Sequence, residues 1–178
     1  MSYLHINLSK MRISLFLCVV ILASCGKDQP DLTIGELYFS DWRIGNLYGA
    51  ADSTIRSAEL YLDTARIEKA DSSDAEAIRL YRRFREEGFL YKPFVDLRIN
   101  DSTFVQLYLD SADYDRIKIY KYQELVDSKK KVIVRGRTKP IGKVGNNEML
   151  YCTEFVEARL VDGETYPSHP KWKVEDYK

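Results

Sequence analysis

The chain has 178 residues, with 27 Lys and Arg against 27 Asp and Glu, so it carries no formal net charge. That balance gives no global attraction to nucleic acid or to an anionic membrane. Three cysteines (Cys18, Cys25, Cys152) and two histidines (His5, His169) are too few for a disulfide framework or for a zinc site built on several His and Cys ligands.

Arg12 precedes an apolar run from Ile13 to Leu22, and the run ends in Leu22-Ala23-Ser24-Cys25. A cationic start, a short apolar stretch and small residues are the layout of a secretory signal, which is set aside before any fold is assigned. The run is about half the roughly 20 apolar residues that a helical span needs. A plain cleaved signal peptide would use Ala23 and Ser24 and leave the next cysteine a coincidence. The four residues together resemble the lipobox of bacterial lipoproteins. That resemblance implies cleavage between Ser24 and Cys25 and a diacylglycerol group on Cys25. Two or three acyl chains, palmitate among them, would anchor the protein stably, whereas one chain alone is marginal. Gly26, not Asp, follows the cysteine. By resemblance to sorting in enteric bacteria, this implies the outer membrane where the host is Gram-negative. The residues before Met11 are either an extended cationic start that uses Lys10 or the product of an upstream start codon.

The expected organisation is a signal peptide over 1–24, a lipid-anchored tether over 25–31, one β-rich domain over 32–163 and an irregular tail over 164–178. Residues 1–24 hold Lys10 and Arg12 and no acid, so their removal leaves a formal charge of −2. Cys152 then has no partner for an intramolecular disulfide, and stability must come from an apolar core. The tether GKDQPD reaches at most about 20 Å when extended, which holds the domain close to the membrane.

Leu32 to Tyr48 is interrupted by Gly35 and Gly45 and crowded with aromatics (Tyr38, Phe39, Trp42, Tyr48), and it reads as one or two strands. In Ser57–Lys69, Ala58, Leu60 and Leu62 alternate with Glu59, Tyr61 and Asp63, which predicts a strand. A helix is the alternative there, because few of these residues are β-branched. Asp71 to Asp74 offers N-cap residues, with Ser73 and Glu76 spaced as a capping box. Ala77, Ile78, Leu80, Tyr81 and Phe84 then form a stripe at helical spacing, closed by Gly88. One amphipathic helix is predicted at about 74–87.

Phe94–Ile99 and Thr103–Leu109 flank Asn100-Asp101-Ser102 and predict a hairpin. Val95, Leu97, Ile99, Val105, Leu107 and Leu109 share one face. Phe94, Asp96, Arg98, Phe104, Gln106 and Tyr108 share the other. A short alternating run at Arg116–Ile119 and a helical turn at Tyr122–Asp127 follow. Lys131–Lys139 predicts a strand with Val132, Val134, Gly136 and Thr138 on one side. Pro140–Glu148 reads as a loop. Met149–Val161 reads as a long strand, or two with a bulge, ended by Asp162-Gly163.

The fold class is therefore mainly β, a barrel or sandwich with one helix. The order of hairpin (94–109), short helical linker (120–128), strand (131–139) and strand (149–161) resembles the last four elements of an OB-fold, a Greek-key barrel with a helix between its third and fourth strands. Ser57–Lys69 would supply the first strand and residues 70–92 an insertion. An OB-like barrel is the favoured architecture, which by itself would not fix a function.

Two surfaces are candidate sites. The outward hairpin face of Phe94, Arg98, Phe104, Gln106 and Tyr108 mixes aromatic and polar groups, and the OB resemblance implies oligonucleotide or oligosaccharide binding there. The competing role of that face is burial of the Tyr81 and Phe84 stripe. The strand residues Lys131, Arg135, Arg137 and Lys139, near Lys129 and Lys130, form a basic patch suited to phosphates or headgroups. Its competing role is a solvated face salt-bridged to Glu154 and Glu157. The arginines of the predicted helix (Arg79, Arg82, Arg83, Arg85) read as a solvated face. Asp110, Asp113 and Asp115 lack the spacing and glycine of a calcium loop and read as a solvated turn. Cys152 alternates with Leu150, both predicted inward, and no His lies nearby in sequence to activate the thiol.

No nucleophile elbow, phosphate loop or metalloprotease helix is present, and no catalytic residue, metal or cofactor is predicted. The expected function is that of a cell-envelope lipoprotein held by its lipid, a non-enzymatic binding or assembly module for an envelope protein or glycan. The alternatives are an envelope hydrolase using carboxylates, such as Asp96 with Glu154, and an oligonucleotide binder. Charge and export both argue against nucleic acid.

Overall fold

The computed structural model describes residues 30–39 and 47–165. The signal segment with Ser24 and Cys25, the tether before Pro30, Trp42 and the tail from Tyr166 lie outside the described residues. The chain divides into Met1–Pro30 and Asp31–Lys178, and every element below belongs to the second unit.

The elements in order are β1 (Asp31–Tyr38), α1 (Asp52–Thr64), α2 (Ser72–Glu86), β2 (Phe94–Arg98), β3 (Phe104–Tyr108), α3 (Ser111–Ile117), α4 (Tyr122–Ser128), β4 (Lys130–Val144) and β5 (Asn147–Asp162). Five strands form one mixed sheet, and helix and strand are present in comparable amounts. The expectation of a mainly β domain with a single helix thus holds for the sheet and is corrected for the helices.

The strand order is β1-β2-β3-β5-β4, with β4 pairing back to β1. All pairs are antiparallel except β3 with β5. The hairpin register is as the two-residue period requires, with Val95 opposite Leu107 and Leu97 opposite Val105. Those side chains point into the sheet's inner side. There they meet Leu37, Leu109, Ile117, Leu125, Val132, Val134, Leu150 and Cys152 as one cluster. A second cluster lies on the outer side, where Leu47, Leu62, Leu80, Phe84, Phe89 and Leu90 bury Tyr108 and Met149.

Four local expectations are corrected. Ser57–Lys69 is not the first strand: its first residues belong to α1, and β1 comes from the stretch around Leu32. Ile55, Ala58 and Leu62 recur at helical spacing and face α2, whereas Leu60 (64 % exposed) and Tyr61 (59 % exposed) point to solvent. The cap of α2 is Asp71, whose carboxylate accepts from the Asp74 N–H at 2.8 Å, and not Ser73. The acidic turn at Asp110–Asp115 opens a helix, α3, whose Tyr114 and Ile117 turn inward at i, i+3. Pro140–Val144 continues β4 and does not loop out. The proline lies opposite Leu150 at a register shift, where one ladder hydrogen bond is dispensable.

Gly88, at φ 79°, ends α2 in the left-handed region that a side chain would strain. Among the described residues no helix is long and apolar enough to cross a membrane.

Candidate functional site

The outer face of the hairpin continues across the sheet. Tyr38 is opposite Asp96, Asp96 opposite Gln106, and Gln106 beside Met149 in the β3–β5 ladder. One row of outward side chains therefore crosses four strands, and α2 passes over it.

α2 is pressed down at one end only. Phe84 is fully buried, and its ring meets Tyr108 at 5.4 Å and Phe89 at 5.5 Å. Phe94 completes the contact, 5.3 Å from Tyr108. At the other end the Tyr38 ring lies tilted on Phe104 at 4.8 Å. There the first turns of α2 stand clear of the sheet. Ser73, Asp74, Ala77 and Tyr81 from the helix face Tyr38, Asp96, Phe104, Gln106 and Met149 from the sheet. Val144 and Asn147 of the β4–β5 hairpin close the side, and the cavity so enclosed measures about 480 Å³. That volume lies in the range of small-molecule sites.

The candidate face is thus divided. Phe94 and Tyr108 are covered by the helix, while Phe104 and Gln106 line the cavity. Arg98 goes elsewhere. Its guanidinium reaches Glu36 at 3.4 Å and Asp101, beside a smaller hollow of about 230 Å³ lined by Ile34 and Ile133. Sequence reasoning did not assign Tyr38, Asp74, Ala77, Tyr81, Val144 or Asn147 to a site. The parity of Tyr38 and the helical phase of Tyr81 were legible, but their convergence depends on where α2 crosses the sheet.

The charged side chains lining the cavity are Asp74 and Asp96, and among the described residues no Lys, Arg or His lines it. The Gln106 Oε1 is buried with no hydrogen-bond partner among the described residues. Burial pushes the Tyr81 phenol above its usual range, so it stays protonated and can donate.

The basic patch is engaged across the strands. Arg135 pairs with Glu157 and Arg137 with Glu154, each at 3.1 Å, and Lys131 reaches Glu36 at 3.6 Å. The Lys139 ammonium stands 5.7 Å from the Tyr151 ring centre. Glu154, bound to Arg137, is not among the residues lining the cavity with Asp96, so the carboxylate pair named for a hydrolase is not brought together there. The α2 arginines do more than face solvent. Arg82 donates to the carbonyls of Leu62 and Ala65 at 2.7 and 2.8 Å, which caps the end of α1, and Arg85 pairs with Asp63 at 2.7 Å.

Asp113 and Asp115 pair with Arg116 and Lys118, at 3.6 and 2.7 Å. Asp110 accepts from Lys92 and from the Tyr151 hydroxyl, and the Lys92 ammonium holds its carboxyl below the usual range. Cys152 is buried in the inner cluster, and burial pushes its thiol up to about 11. At neutral pH it is a protonated structural thiol, without the thiolate that nucleophilic chemistry needs.

No protein-family model, no curated protein and no solved structure matches this chain.

Proposed function

We propose that this chain is a lipid-anchored lipoprotein of the cell envelope, acting as a non-enzymatic binding module through the cavity beneath α2. The reading joins the lipobox at Leu22-Ala23-Ser24-Cys25 to an OB-like barrel. What supports the barrel is the strand order β1-β2-β3-β5-β4, the return of β4 to β1, and helices placed between β3 and β4. Greek-key barrels of that kind bind ligands on the face of strands two and three. The observation that carries the function is the cavity on that face, where Tyr38, Phe104 and Tyr81 supply apolar walls and Asp74, Asp96, Gln106 and Asn147 supply polar groups. Few convergent polar groups in an aromatic setting is the usual make-up of a ligand site.

Anchoring and binding have separate tests. The full chain expressed in a bacterium with an alkyne-tagged palmitate precursor takes up label and sediments with membranes. Cys25→Ser remains unlabelled and unanchored, and label on that variant would reject the lipobox. For binding, the detergent-extracted protein is screened by thermal shift against envelope glycans, peptides and small metabolites. A stabilising compound is expected to lose its effect in Ala77→Trp, which fills the cavity. Equal stabilisation of the filled variant would place binding elsewhere.

A further inference from the structure

The composition of the cavity selects its ligand. This inference rests on the binding-module reading and adds the chemical class. Both charged groups in the lining are carboxylates, Asp74 and Asp96, and the buried Gln106 Oε1 adds an acceptor with no donor facing it among the described residues. An anion entering here would meet like charge in a partly enclosed, low-dielectric space, a repulsion that water does not fully screen. The positive end of α2 does not offset this, because its free Asp74 N–H is already given to Asp71. Phosphates and nucleic acid are disfavoured on the very face that the OB resemblance would assign to them.

A group that brings both positive charge and N–H donors satisfies every feature at once. It neutralises the carboxylates through charge-assisted hydrogen bonds, donates to Gln106, and lies against the ring faces of Tyr38, Tyr81 and Phe104. We infer that the cavity binds an organic cation, an ammonium or guanidinium group bearing N–H donors. Such a group occurs on a free polyamine and on a basic amino-acid side chain.

The test uses the full chain in neutral detergent and isothermal titration with four probes: spermidine, argininamide, the neutral trisaccharide of N-acetylglucosamine, and a short oligothymidylate. One or both cations are expected to bind, with affinity falling as salt is raised, and the choice between spermidine and argininamide separates a free amine from a side chain. Asp96→Asn and Asp74→Asn are each expected to weaken cation binding about tenfold or more, the worth of one charge-assisted hydrogen bond. Asp74 lies on the exposed first turn of α2, so its variant keeps the fold even where a change at Asp96 disturbs the sheet. Undiminished binding by both carboxamide variants overturns the inference, and so does a trisaccharide or oligothymidylate that binds as well as the cations. Trisaccharide binding that Ala77→Trp abolishes would leave the binding module standing and remove only the cation. If no probe binds, the inference fails, and the binding module fails with it only if the thermal-shift screen also finds no stabilising compound.

Discussion

The ring of Phe84 stands edge-on to that of Tyr108, centroids 5.4 Å apart at 81°. This contact joins α2 to the outer face of the sheet. It closes one half of that face, and the rest of the helix spans the other half without filling it.

Phe84→Ala is expected to destabilise the domain by about 3–5 kcal/mol, since it removes a fully buried ring and leaves a cavity. Urea unfolding followed by far-UV dichroism measures it. Tyr108→Phe should be neutral or stabilising by up to about 1 kcal/mol, because the buried Tyr108 hydroxyl has no partner among the described residues. A clear loss of stability in that variant would mean that the hydroxyl has a role the packing does not reveal.

Glu36 is 7 % exposed and faces two cations, Arg98 at 3.4 Å and Lys131 at 3.6 Å. Glu36→Gln keeps the shape and removes the charge that both cations face. The expected loss is about 1–3 kcal/mol, below the figure for a fully buried pair because Lys131 is a third exposed. The midpoint of urea unfolding should fall with an unchanged slope.

Gly136 sits where β4 and β5 shift register. A Cβ there would lie 2.8 Å from the Cys152 Sγ and 3.2 Å from the Glu154 carbonyl oxygen. Gly136→Ala should therefore cost about 1–3 kcal/mol through overpacking. Added Cys152→Ala clears the first clash and leaves the second, so the double variant should be more stable than the sum of the two single effects. Strict additivity in a double-mutant cycle would refute the contact.

The Cys152 thiol titrates at about 11, above its ordinary value of 9.0, and burial also raises the Tyr108 phenol. Between those limits the unfolded chain releases the Cys152 proton and the folded chain keeps it. Protons bound are then fewer in the unfolded state, so stability declines as pH rises. The decline begins near pH 9 and approaches about 1.4 kcal/mol per pH unit for this one group. Cys152→Ala should flatten the thermal-stability profile between pH 9 and 11. In the wild type, iodoacetamide should label Cys152 at neutral pH no faster than the domain opens.

Elements with a single local period were legible in the residues. The β2–β3 hairpin follows from alternation on both sides of Asn100-Asp101-Ser102, and α2 follows from its stripe and from Gly88. The pairing of Arg135 with Glu157 and of Arg137 with Glu154 was legible as well, since it needs only neighbouring strands in register. Phe104 and Gln106 were placed on the correct face for the cavity. Other features were ambiguous locally. Residues 57–63 satisfy the two-residue and the helical period alike, and packing of Ile55, Ala58 and Leu62 beside α2 decided for the helix. Pro140 reads as a breaker until β5 lies beside it.

The residues alone determined an address and a set of faces: the lipobox expectation at Cys25, the inward and outward sides of each strand, and the stripe of α2. Tertiary structure decided which strands meet and where the helix lies. The pairing of β1 with β4 joins residues about a hundred apart, closed in part by the 2.7 Å contact of the Thr33 and Thr138 hydroxyls. No local period encodes such a pairing, because it is stabilised only after the intervening chain has paid its loop-closure entropy. The cavity has the same origin. Asp74 and Asp96 are unremarkable carboxylates in the chain, and they face one enclosed space only because Phe84 seats α2 on Tyr108 and holds its first turns off the sheet.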